Sequence, residues 1–169
     1  MPDKPLLYSH YDTVFQEVPG EVSLAIDITG CPYRCPGCHS AYLQNYFGSE
    51  LLKDLPAIIE KYNGMITCVL FMGGDQNRNA LTIALAYCKL HRLKTCVYTG
   101  AEPQDAMNLF RSQIKTGLVD YLKAGPYKQE LGGLASETTN QVFYRICKNS
   151  DGEILLKNET SQFQKKVTK

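Results

Sequence analysis

The sequence lacks an excess of charge of either sign, a long hydrophobic run and any internal repeat. Its 169 residues carry 18 Lys and Arg against 17 Asp and Glu, which gives a formal net charge of +1. Proteins that bind nucleic acid non-specifically need a clear excess of Lys and Arg, so we expect no nucleic-acid partner. No apolar stretch approaches the ~20 residues that cross a bilayer, so we expect no membrane association either.

The sequence also lacks the apolar core of a secretory signal at its N-terminus, where residues 1–5 are MPDKP. We therefore expect a cytoplasmic protein in a reducing compartment. In that compartment, the seven cysteines favour metal binding or redox chemistry over a disulfide framework. The length predicts one domain, at residues 1–157, followed by a polar, Lys-rich C-terminal tail at residues 158–169.

Apolar residues with a period of two, or in short continuous runs, predict a series of strands. The predicted strands are residues 22–28, 68–72, 95–99, 119–124, 141–147 and 153–157. Amphipathic stripes predict helices near residues 51–62, 81–88 and 103–110.

Strands that alternate with helices imply a parallel sheet, and the chain is too short for a complete eight-fold barrel of ~250 residues. A partial barrel or an open α/β sheet follows. We predict an α/β fold in a single domain, with a partial (incomplete) TIM-like β/α barrel of about five parallel strands.

In either fold, ligands bind at the C-terminal ends of the parallel strands. Each of the first four predicted strands ends in a loop that contains glycine. These loops are residues 29–40, 73–75, 99–100 and 125–127. We expect them to converge on one rim of the sheet.

The loop at residues 29–40 contains Cys31, Cys35 and Cys38 in a C-x3-C-x2-C pattern. Two prolines and a glycine within the pattern oppose a regular helix, so the chain can turn and direct three sulfurs at one centre. Thiolates favour iron–sulfur clusters, zinc or Cu(I). A fourth cysteine at similar spacing is missing, so a cubane cluster on this loop would keep one iron free for a substrate.

Two alternatives to an iron–sulfur cluster remain at this point. A structural zinc site normally has four ligands, and His39 would have to supply the fourth. Because His39 is adjacent to Cys38, that spacing is awkward for two ligands of one ion. Unligated cysteines are the other alternative, although three of them in one Pro- and Gly-rich loop at a strand end disfavour it.

This C-x3-C-x2-C motif after a first strand resembles the signature of the radical S-adenosylmethionine superfamily. The wider sequence is similar to the activating enzymes of anaerobic ribonucleotide reductase. The matching stretches are residues 15–21, 29–32, 35–39, 73–75, 98–100, 125–127 and 139–141. Two positions depart from the superfamily. Gly37 replaces a usual aromatic residue before the last cysteine, and Asp75 stands where Glu is common.

The resemblance implies a [4Fe-4S] cluster on Cys31, Cys35 and Cys38, with one open iron that chelates S-adenosylmethionine. Reductive cleavage would give a 5′-deoxyadenosyl radical, which would take a hydrogen atom from a glycine Cα of the reductase. The cluster and S-adenosylmethionine would do the chemistry, with no separate catalytic side chain. The implied partners are the large glycyl-radical subunit of anaerobic ribonucleotide reductase and a low-potential electron donor of the flavodoxin or ferredoxin type.

The resemblance also implies the residues that contact S-adenosylmethionine. Gly73 and Gly74 would let the backbone approach its methionine end, and Asp75 would accept hydrogen bonds from its ammonium group. An alternative role for Asp75 is the N-cap of the second helix. Thr99 and Gly100 would border the ribose or simply end a strand.

Four more candidates for this contact set come from the resemblance. Tyr33 is a candidate for packing on the adenine, since Gly37 has no side chain. Asp120 and Lys123 form a D-x-x-K-like element, but a strand directs them to opposite faces, so at most one is a contact. Asn140 lies in a matching stretch, beside Gln141, without a derivable role.

Two other functions stay open on the sequence. A radical enzyme of the same superfamily could act on a small molecule, such as a modified-base precursor. A zinc-binding interaction module is the other alternative. The remaining four cysteines fall within predicted strands or a helix, where free cysteine is usually a small buried apolar residue.

Overall fold

A computed structural model describes residues 3–164 of the protein and contains eight strands and four α-helices in that range. The strands are β1 (Leu7–Val14), β2 (Ser23–Ile28), β3 (Ser49–Glu50), β4 (Cys68–Met72), β5 (Lys94–Tyr98), β6 (Tyr121–Ala124), β7 (Val142–Lys148) and β8 (Ile154–Asn158). The helices are α1 (Leu51–Lys61), α2 (Arg78–Leu90), α3 (Pro103–Leu109) and α4 (Arg111–Lys115). Among residues 3–164, no helix has the length and apolar character needed to cross a bilayer.

The prediction of a partial TIM-like barrel of about five parallel strands is wrong. The strands form one open mixed sheet in the order β3-β1-β2-β4-β5-β6-β7-β8. Only β2, β4, β5 and β6 are parallel neighbours, and the flanking strands pair antiparallel. The physical reason lies in the connections. A parallel crossover needs a long connection, usually a helix, whereas no helix follows β6 and a tight turn joins β7 to β8.

The two faces of the sheet are covered differently. The helices pack on one face and bury a large apolar cluster that includes Leu55, Leu85 and Phe110. The other face carries a smaller cluster around Leu70 and Phe143, covered by loops rather than helices.

In the predicted tail, Asn158 ends β8 and Thr160–Phe163 form a short 3-10 helix. Phe163 packs on Phe143, with ring centroids 5.0 Å apart. The Gln164 side-chain amide donates a hydrogen bond to the Ser136 carbonyl at 2.9 Å. The rest of the predicted tail, residues 165–169, lies outside the described residues.

A buried carboxylate joins three strands near the N-terminal end of the parallel sheet. Glu21 is only 7% exposed. It accepts hydrogen bonds from Lys94 at 2.5 Å, from Thr67 at 2.5 Å and from Tyr121 at 2.7 Å. Burial raises the pKa of Glu21, but these three donors outweigh burial and hold the pKa below its ordinary value of 4.5.

We expect Glu21→Gln to lower the free energy of unfolding by about 1–3 kcal/mol, because hydrogen bonds to a buried charge are lost. The charge stabilises the fold above pH 4.5, and this contribution is lost as the pH falls through the lower pKa of the folded state. Urea denaturation at several pH values measures the difference. The exposed Glu60→Gln is the control, and a loss that does not shrink below pH 4.5 would contradict the ionic role.

Candidate functional site

The four loops expected to converge do meet, in a cleft of about 160 Å³ at the C-terminal ends of the parallel strands. Its lining includes Cys31, Tyr33, Cys35, Cys38, Met72, Gly73, Asp75, Tyr98, Thr99, Gly100, Lys123, Gly125 and Tyr127. Nine of the twelve predicted metal and cofactor residues are therefore brought together. Gly74, Asp120 and Asn140 are not among the residues that line the cleft.

The loop at residues 29–40, called the cysteine loop from here on, contains three residues with positive φ. These are Gly30 at +81°, Arg34 at +48° and Gly37 at +72°. Backbone hydrogen bonds of 2.9 Å from Gly30 to Asn45 and from Cys31 to Leu43 attach the loop to the next segment. The irregular path predicted from Pro and Gly is thus stabilised by backbone pairing.

All three cysteine thiols of the loop are free and half-buried. Burial raises the pKa of the Cys31 thiol, and backbone hydrogen bonds oppose the rise. Within residues 3–164, no three side chains of His, Cys, Asp and Glu are grouped closely enough to hold a metal ion.

The backbone conformation explains the glycine before the last cysteine. A Cβ on Gly37 would lie 2.8 Å from the Gln129 Oε1 atom, and its φ of +72° is rarely adopted by other residues. The segment around Gln129 therefore covers this part of the cysteine loop. The neighbouring His39 ring packs on Tyr127, with centroids 5.2 Å apart.

Gly73 and Gly74 follow β4 with φ of +109° and +115°, which strongly favours glycine. A Cβ on Gly73 would lie 3.4 Å from Ile28, an ordinary contact, whereas one on Gly74 would lie 2.9 Å from Leu81. Gly73 therefore contributes bare backbone to the cleft. Gly74 turns the chain away and permits close packing of α2.

Asp75 accepts two hydroxyl hydrogen bonds at the same oxygen, Oδ2. The Tyr33 hydroxyl donates at 2.8 Å, and the Thr99 hydroxyl makes the second bond. Burial raises the pKa of Asp75, and the two hydroxyls offset that rise only in part. The alternative N-cap role is filled by Asn77 instead, whose side chain accepts a bond from the Ala80 amide at 3.0 Å.

The two residues of the D-x-x-K-like element lie in different places. Lys123 lines the cleft, and its ammonium group lies 5.7 Å from the centroid of the Tyr98 ring. Burial lowers the pKa of Lys123 to about 8, although the three cysteines and Asp75 oppose this shift. Asp120 lies before β6, where it pairs with Lys89 and accepts a bond from the Thr95 amide at 2.9 Å.

Asp120 is therefore not a cleft residue, as the opposite-face rule for strand positions anticipates for one of the pair. Asn140 lies just behind the cleft, where its amide donates to the Pro126 carbonyl at 3.0 Å. Its side-chain oxygen is buried without a hydrogen-bond partner among the described residues. Asn140 holds the loop after β6 instead of lining the cleft.

Nine lining residues are not among the predicted site residues, and three of them have large side chains at the ends of the parallel strands. Met72, Tyr98 and Tyr127 all line the cleft. Met72 and Tyr98 are the last residues of β4 and β5, so their position at a strand end is a signal that could have identified them. Tyr127 follows Gly125 and Pro126 at the end of β6, which is a similar signal.

Comparisons of the chain with protein-family models, with curated proteins and with solved structures give no significant match. A functional assignment therefore depends on the cysteine motif and on the geometry of the cleft.

We expect Gly74→Ala to lower the free energy of unfolding by about 2–4 kcal/mol, because a strained φ and a contact with buried Leu81 add together. Gly64→Ala is the matched control, since Gly64 has a φ of +75° but a Cβ there would have nothing within 4 Å. For Gly64→Ala we expect a loss of only about 1–2 kcal/mol, which is the cost of the positive φ alone. Urea denaturation measures both, and equal losses would contradict the packing role of Gly74.

Proposed function

We propose that the protein is a radical S-adenosylmethionine enzyme that activates an anaerobic ribonucleotide reductase by generating a glycyl radical on its large subunit. One observation carries the proposal. The three cysteines of the C-x3-C-x2-C motif line the same cleft as Gly73 and Asp75. A ligand held there would contact the metal-binding loop and a glycine-rich strand end together.

The donor set of the cleft supports a [4Fe-4S] cluster held by Cys31, Cys35 and Cys38. In such a cluster each cysteine binds a different iron, so the thiolates stand further apart than the ligands of a single ion. When bound, the cluster supplies the electron that cleaves S-adenosylmethionine to methionine and a 5′-deoxyadenosyl radical. That electron would come from a donor of the flavodoxin or ferredoxin type in the reducing cytoplasm.

The chain's own residues would bind and orient S-adenosylmethionine. The Gly73 backbone lets the methionine end approach closely, and the Asp75 carboxylate accepts hydrogen bonds from the ammonium group. The positive charge of Lys123 would attract the carboxylate group of S-adenosylmethionine. Tyr98 and Met72 provide apolar surface that restricts water around the bound molecule.

A protein substrate fits the surroundings of the cysteine loop. Tyr42, Tyr46 and Phe47 are each more than 40% exposed in the segment after this loop. Exposed aromatic residues are common in surfaces that bind proteins. A partner docked beside the cleft would supply its own glycine and would exclude water from the radical.

We expect anaerobic reconstitution with iron and sulfide to give a brown, oxygen-labile protein. Replacing Cys31, Cys35 or Cys38 with Ala should remove most of the iron and visible absorption. Cys147→Ala is the matched control, because Cys147 is also free and half-buried but lies in β7. If Cys35→Ala kept the full cluster content and cleaved S-adenosylmethionine, the ligand assignment would be wrong.

Incubation of the reduced, reconstituted protein with S-adenosylmethionine and the large reductase subunit should produce a glycyl doublet in electron paramagnetic resonance. Formation of 5′-deoxyadenosine should match the amount of radical, because each abstraction consumes one S-adenosylmethionine. The absence of a doublet, together with turnover of a small molecule, would favour a radical enzyme of the same superfamily that acts on a small molecule. One bound zinc, without iron or visible absorption, would instead favour an interaction module.

A further inference from the structure

Tyr33 lies between the first two cysteines of the motif and extends across the cleft to the segment after β4. We propose that Tyr33 is a positioning residue that orients Asp75 toward the ammonium group of S-adenosylmethionine, and that it is not a platform for adenine. This inference rests on the proposed function, since it names a determinant of ligand binding at the same site.

The hydrogen bonds of Asp75 carry the first step. The hydroxyls of Tyr33 and Thr99 both donate to Oδ2. They come from two separate segments, since Tyr33 lies in the cysteine loop and Thr99 directly follows β5. Two donors on one oxygen fix the rotation of the carboxylate. The backbone amide of Asp75 also bonds to this carboxylate, but within residues 3–164 no side chain donates to Oδ1, so a ligand cation would compete with no side-chain donor there.

The contact of the Tyr33 ring with Gly100 carries the second step. A Cβ on Gly100 would lie 2.7 Å from Tyr33 Cγ and Cδ2, so the ring packs directly on the backbone at the end of β5. The φ of Gly100 is not positive, and the nearest atoms to a Cβ all belong to Tyr33. Glycine at position 100 therefore makes room for the Tyr33 ring and is not required by the backbone conformation.

A ring in this position is poorly suited to stack on adenine. One side of the ring packs against Gly100, and its hydroxyl is committed to Asp75. An adenine platform would need a freely presented ring face, and its hydroxyl would be dispensable. A positioning role makes the opposite demand, because the hydroxyl is then the essential atom.

Tyr33→Phe separates these roles, because it removes the hydroxyl and keeps the ring. After anaerobic reconstitution, we expect wild-type iron content and an affinity for S-adenosylmethionine that is about 5- to 20-fold weaker. Affinity is read from the change that S-adenosylmethionine causes in the electron paramagnetic resonance spectrum of the reduced cluster. The affinity for 5′-methylthioadenosine, measured by equilibrium dialysis, should stay unchanged, because that molecule has adenosine but no ammonium group.

A second variant and a double-mutant cycle strengthen the test. Gly100→Ala should displace the ring and produce the same selective loss. Tyr33→Phe should add little to Asp75→Asn, because both changes disable one acceptor. Tyr8→Phe is the matched control, since the Tyr8 hydroxyl also donates to an aspartate, Asp54, at 2.9 Å but Tyr8 is not a cleft residue.

Four outcomes would overturn the inference. Unchanged affinity in Tyr33→Phe, with both ligands weakened in Tyr33→Leu, would identify an adenine platform. Loss of iron in Tyr33→Phe would identify a role in folding the cysteine loop. If the wild-type protein forms the glycyl radical and Tyr33→Phe matches its affinity, only this inference fails. If the wild type binds no S-adenosylmethionine, the proposed function fails with it.

Discussion

The parallel register of β2, β4, β5 and β6 is the constraint on which the cleft depends. Asp27 pairs with Met72, Met72 with Tyr98, and Tyr98 with Lys123, so one row of residues crosses the ends of four strands. Residues in register share a face of the sheet. The loops that follow this row therefore start at the same height and meet over it, although they are distant in sequence.

The two ends of the parallel strands use buried charge differently. At the N-terminal end, Glu21 and Asp120 are paired with Lys94 and Lys89, and they join neighbouring strands. A paired carboxylate needs no ligand and stabilises the sheet. At the C-terminal end, irregular loops replace such pairs, and the Asp75 carboxylate there accepts hydrogen bonds from neutral hydroxyls instead of pairing with a cation. Stability and binding are thus separated along the strand axis.

The sequence predicts most elements but not the direction of the outer strands. β4 and α1 follow apolar patterns that packing alone determines, and their predicted positions are correct to within one residue. β1 is absent from the prediction because polar His10, Asp12 and Thr13 interrupt its alternation. The convergence of the loops could be predicted, because each loop begins at the carboxyl end of a parallel strand. The contact between Tyr33 and Gly100 has no such signal, since an irregular loop obeys no periodicity.

Asp75 and Glu21 show why one buried carboxylate is a candidate binding group and the other is structural. Both accept hydroxyl hydrogen bonds, but Glu21 also has the Lys94 ammonium group, and only its pKa falls below the ordinary value. In the described part of the chain, Asp75 has no ion pair, and burial raises its pKa. A cationic ligand would supply the charge that Lys94 supplies to Glu21. Arg78 and Lys123 act on Asp75 only at longer range, so an ammonium group bonded to Asp75 would add the direct ion pair that Glu21 has with Lys94.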